Sequence, residues 1–95
     1  MFLMPTDVLR DISYAAKARR LAENLSRKTL SERSGVPAPT IRHFEETGHI
    51  GVLALLKIAE AMDCLREFSA LFPKKKMMTV EDIERSRQKR KRGRL

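Results

Sequence analysis

The sequence predicts an all-α domain of five helices, and three observations carry that prediction. The apolar content is mostly Leu, Ala, Ile, Val and Met, with no Trp and only one Tyr. Glycine is scarce, at four residues in 95. Apolar residues recur at helical spacing between small sets of capping and turn residues: Ser26, Gly35, Gly48 and Gly51.

Taken in order, Thr6 followed by Asp7 reads as an N-cap with an acidic first turn. Leu9, Ile12, Ala16, Leu21 and Leu25 then supply an apolar stripe, so the first helix is expected over about 7–23. Asn24 suits a left-handed C-terminal position. Ser26 caps a second helix over about 27–34, and Gly35 ends it, because glycine tolerates the positive φ of a sharp turn. Pro39 opens the third helix, Pro37 stiffens its entry, and Gly48 stops it after Thr47. Gly51 opens "VLALLKIAEAM", where Leu53, Leu56, Ile58, Ala59 and Met62 predict the most buried helix of the chain. Asp63 breaks to a fifth helix, "LREFSALF", closed by Pro73.

After Pro73 the composition shifts. Residues 1–73 hold 10 Lys/Arg against 9 Asp/Glu, a net of +1; residues 74–95 hold 10 against 3, a net of +7. A domain over 6–73 and a basic tail over 74–95 are therefore expected, with salt-sensitive attraction to a polyanion residing mainly in the tail. Thr79 and Asp82 have the spacing of a capping box, and a polar helix over about 80–90 follows. It has too few apolar residues to pack alone, so it is expected to be frayed or disordered when free.

Several function classes fall away. No run of about 18 apolar residues exists to span a membrane, and "MFLM" breaks at Pro5 too soon for a signal peptide. The single Cys64 forms no internal disulfide, which points to a cytoplasmic location. His43, His49 and Cys64 lack zinc-ligand spacing, and no His–carboxylate arrangement accompanies the thiol, so neither a metal, a cofactor nor catalysis is expected. A phosphate-binding glycine loop and an aromatic pair for stacking single strands are also missing.

The informative stretch is "SRKTLSERSGVPAPTIRHFEETG", residues 26–48. Leu30 meets the core, Ser31 is small where two helices cross, Gly35 is the turn, and Val36, Ile41 and Phe44 return to the core. A helix-turn-helix over about 27–47 needs these types at these places, and its second helix can then project into the major groove.

With "ARRLAENLSRKTLSERSGVPAPTIRHFEETG" and "LLKIAEAM", the sequence resembles the Cro/C1-type (Xre) helix-turn-helix regulators with a lambda-repressor-like five-helix domain, over roughly 9–72. The resemblance implies double-stranded DNA binding by a homodimer on an inverted repeat. It places Pro37 where the family usually has a Ser or Thr cap, and Ala38 and Pro39 where its leading base readers stand. Neither can hydrogen-bond a base edge, although Ala38 can touch a thymine methyl. Direct readout then moves to Arg42, whose fork matches guanine O6 and N7, and to His43, at a purine N7 or a phosphate. Thr40 is expected to bond a phosphate or its own backbone. Arg27 stands where Gln is common, beside the DNA backbone, and Ser34 replaces a common Ala. The resemblance also implies a partly buried structural ion pair between Arg20 and Glu45.

In the tail, Lys74, Lys75, Lys76, Lys89, Arg90, Lys91 and Arg92 are expected to contact phosphates. Leu65, Phe68, Leu71 and Phe72 are generous for one short helix, which suggests a dimer contact. A narrower resemblance joins "FEETGHIGVLALLKIAEAM" and "LREFSALF" to small HipB-like antitoxins that repress their own operon and bind a HipA-like serine/threonine kinase toxin. The alternatives are a stand-alone repressor and a protein-interaction module that has lost DNA binding, the latter prompted by Ala38 and Pro39.

Overall fold

The computed structural model describes residues 3–74, and these are all-helical, with no strand among them. Five helices follow one another: α1 Pro5–Ala22, α2 Arg27–Ser34, α3 Ala38–Thr47, α4 Val52–Ala61 and the single turn α5 Leu65–Phe68. The expected helix over 80–90 and the tail residues Lys75, Lys76, Lys89, Arg90, Lys91 and Arg92 lie outside the described residues.

Local chemistry accounts for most boundaries. The start of α1 differs from expectation: Met4, not Thr6, is the N-cap, and Thr6 lies in the first turn. Pro5 suits the first helical position, and the Asp7 carboxylate reaches back to accept the Met4 N–H at 3.1 Å. The chain leaves α1 through Asn24, at φ 56°. Ser26 Oγ accepts the Thr29 N–H at 3.0 Å and so opens α2. Gly35, at φ 78°, closes it, with its N–H on the Ser31 carbonyl at 2.8 Å. Gly48 ends α3 at φ 84° and is required twice over, because a Cβ there would stand 3.2 Å from both the Cβ and the carbonyl oxygen of Leu9.

The core is built where α2, α3 and α4 meet under α1. Leu25, Leu30, Val36, Ile41, Phe44, Ile58 and Met62 are buried together, with Ile12, Ala16, Ile50, Ala54, Leu55 and Cys64 packed against them. Leu30, Ile41, Phe44 and Ile58 are the largest fully buried side chains. Each such side chain contributes about 1.5–3 kcal/mol by leaving water.

Three apolar expectations are corrected. Leu21 and Leu53 are exposed, because they lie on the faces of α1 and α4 turned from the core. Helix α5 stops at Phe68 instead of running through "LREFSALF", so Leu71 is exposed and Phe72 is 94% exposed. A helix of four residues has little propagation to offset its nucleation cost.

Candidate nucleic-acid interface

The α2–turn–α3 unit is held from within. Gly35 turns the chain, Ser34 Oγ accepts the Val36 N–H at 3.1 Å, and Val36 drops into the core. The Pro37 carbonyl then accepts the N–H groups of Thr40 (3.0 Å) and Ile41 (3.1 Å), starting α3. Its first turn carries no side-chain cap.

Helix α3 has two unlike faces. At 100° per residue, Ile41, Phe44 and Glu45 share one side, and all three are buried. Pro39, Arg42, His43 and Glu46 fall on the opposite side, and all four are exposed. Ala38 and Thr40 are half-buried at the flank. On the outer face, Arg42 Nε donates to Glu46 Oε1 at 3.0 Å, with the two side chains 68% and 56% exposed. Toward the end of the helix, Thr47 Oγ1 donates to the His43 carbonyl at 2.7 Å and accepts the His49 N–H at 3.1 Å.

Beneath this face lies a charged cluster joining three helices. Arg20 of α1 grips Glu45 of α3 with both edges of its fork, Nε to Oε2 at 2.7 Å and Nη2 to Oε1 at 3.1 Å. Its Nη1 donates to the Leu25 carbonyl at 2.8 Å, tying in the loop before α2. Arg27, in the first turn of α2, donates from Nε to Glu45 Oε1 at 2.9 Å. The side chains of Arg20 and Glu45 are 7% and 3% exposed, that of Arg27 35%. Burial by itself pushes the Glu45 carboxyl up. The hydrogen bonds from Arg20 and Arg27, together with their charges, outweigh it and hold the carboxyl below the usual carboxylate range. No buried side-chain nitrogen or oxygen among the described residues lacks a partner.

Arg27 makes a contact that sequence reasoning missed. It was expected beside the DNA backbone and is held by Glu45. The two are 18 residues apart, on different helices, so no periodicity links them. Arg19 is a second case: its Nη2 donates to the Met62 carbonyl at 3.2 Å and latches α1 to the end of α4. Lys74 is exposed at the end of the described chain. Cys64 donates its thiol to the Met62 carbonyl at 3.3 Å. Among the described residues no helix is long and apolar enough to cross a membrane, and no group of three potential metal ligands converges.

A profile of the helix-turn-helix family matches residues 17–67, more than half the chain and all of the α2–turn–α3 unit. No curated protein and no solved structure matches it.

Proposed function

The chain belongs to the Cro/C1-type (Xre) helix-turn-helix family, and on that premise we propose that α3 enters the major groove of double-stranded DNA and reads sequence there. That the protein is a DNA-binding regulator follows from the family. The reading helix, its contacts and the regulatory circuit are our inference. The observation that carries it is the division of α3: Ile41, Phe44 and Glu45 are anchored inside, while Arg42 and His43 stand in solvent.

In this reading Arg42 pairs with guanine O6 and N7, and His43 reaches a purine N7 or a phosphate. Ala38 touches a thymine methyl and Pro39 packs against the groove wall. Thr40 and Arg27 contact phosphates. The Nε bond of Arg27 to Glu45 steadies that side chain and leaves its Nη groups as donors. The domain spans 6–73. The tail over 74–95, with Lys74, Lys75, Lys76, Lys89, Arg90, Lys91 and Arg92, supplies most of the phosphate neutralisation. Two copies place their α3 helices about one DNA turn, roughly 34 Å, apart on an inverted repeat. The exposed Leu65, Leu71 and Phe72 are the apolar surface offered to that homodimer.

The circuit we propose is autorepression in the cytoplasm, with a HipA-like kinase as the partner if the chain is an antitoxin. A stand-alone repressor lacks that partner, and co-purification with the products of neighbouring genes separates the two. A second reading, an interaction module without DNA binding, is favoured by the hydrogen-bond-poor Ala38 and Pro39. A gel shift on the chain's own upstream region decides it. Arg42→Ala should abolish the specific shift while leaving the fold intact. An Arg42→Ala protein that shifts this DNA normally overturns the assignment of Arg42. Deleting 74–95 should reduce the slope of log affinity against log salt; an unchanged slope removes the tail from the phosphate contacts.

A further inference from the structure

Resting on the reading of α3 as the groove-facing helix, we propose that Glu46 is a positioning residue that sets the guanine specificity of Arg42. Glu46 Oε1 accepts from Arg42 Nε at 3.0 Å on the outer face of α3. A guanidinium has five N–H donors in one plane. When Nε is held by a carboxylate, the fork pivots less, and its two Nη edges are left to face outward. With Nε engaged, the edge formed by the two Nη groups remains to make a bidentate pair with guanine O6 and N7. A freely rotating arginine on the same helix would satisfy itself as well on any phosphate, which carries no sequence information.

The charge on this face argues the same way. Arg42 and Glu46 are the formally charged residues among the four on the outer side of α3, so together they bring no net charge to the groove. A carboxylate that faces DNA without a donor is repelled by the phosphates. Glu46 is therefore tolerated only while Arg42 neutralises it. A register in which Arg42 leaves to bind a phosphate strands that carboxylate in the groove. Arg42 in this pairing loses general affinity and gains selectivity, and attraction of the whole molecule to DNA must come from elsewhere. The basic residues over 74–95 are suited to that task.

The test uses the full chain and a duplex it enriches from a randomised pool. Each guanine of that duplex is replaced in turn by 7-deazaguanine, which lacks the N7 acceptor. The wild-type chain should lose about tenfold in affinity at one position in each half-site, the scale of a good bidentate contact. Glu46→Ala should shrink that loss to within about twofold, while its affinity for unrelated DNA stays equal or rises. Glu46→Gln retains an acceptor for Nε and should restore most of the discrimination. A Glu46→Ala protein that keeps the whole 7-deazaguanine effect overturns the role of Glu46. An Arg42→Ala protein that keeps it overturns the reading of α3 on which this rests, as does a pool in which no sequence is enriched.

Discussion

Glu45 and Glu46 are neighbours in the chain, and each takes a hydrogen bond from an arginine Nε, at 2.7 Å and 3.0 Å. One step of 100° around α3 separates their surroundings. Glu45 turns inward, nearly removed from water, and meets Arg20 and Arg27 from two other helices. Glu46 turns outward and meets Arg42 of its own helix, with both side chains more than half exposed. The chemistry of the pairs is alike, and what they can do is not. In the buried cluster neither charge can be left alone, so the contacts are obligatory and fasten α1, α2 and α3 together. On the outer face water can replace either partner at small cost, so the pair contributes little to holding the helices together. The side of α3 that a salt bridge occupies thus decides whether its contacts are obligatory to this fold.

The comparison can be broken most forcefully from the inside. Arg20→Ala leaves Glu45 with only Arg27, whose side chain is about one-third exposed, and strands the Leu25 carbonyl; it should cost about 3–5 kcal/mol. In a domain of this size that lowers the melting temperature by more than about 10 °C, measurable by differential scanning calorimetry. A loss below about 1 kcal/mol would mean that the buried cluster behaves like a surface pair.

The same cluster predicts a pH dependence. The Glu45 carboxyl is depressed in the folded chain relative to the unfolded one. Its contribution is therefore complete above the ordinary carboxylate pKa, about 4.3, and is lost as the pH falls below that and through the folded value. Urea midpoints measured from neutral pH downward should fall most steeply in that window. Glu45→Gln should start from a lower midpoint and fall less steeply.

A smaller effect is expected of Arg27→Ala. It removes one charge-assisted hydrogen bond while Arg20 remains, and the lost side chain was one-third exposed, so about 1–2 kcal/mol is expected in urea unfolding. If phosphate binding is also one of its functions, DNA affinity should fall by more than the lost stability explains. Smallest of all, Glu46→Ala and Arg42→Ala should change stability by no more than about 0.5 kcal/mol, the scale of an exposed i, i+4 pair. A larger loss from either would contradict the view that the outer pair contributes little to the stability of the fold.

How much of this was legible beforehand depends on the distance over which each feature is decided. Ser26 opening α2, Asn24 and Gly35 at positive φ, and Gly48 ending α3 are settled within a few residues by backbone sterics and side-chain capping. The spacing of Leu30, Val36, Ile41 and Phe44 around the turn was legible for the same reason: helical periodicity fixes which residues share a face. The cap of α1 was misread because Thr6 is the better capping side chain, whereas Pro5 and the backward reach of Asp7 favour Met4. Arg20 and Glu45 were named through a family resemblance and not through any spacing, and Arg27 was linked only to DNA.

What the sequence by itself determined is thus the order of helices, the turn that joins α2 to α3, and the pattern that gives α3 an inner and an outer side. Those depend on local sterics, hydrogen bonding and a fixed rotation per residue. The tertiary structure alone decided that Leu21, Leu53, Leu71 and Phe72 face water and that Arg27 bends to Glu45. Hydrophobicity says that a side chain gains by burial, but only the packing of other helices decides whether a buried place exists for it. Likewise a carboxylate draws in whichever cations the fold sets beside it, and three helices had to meet before Glu45 could have two.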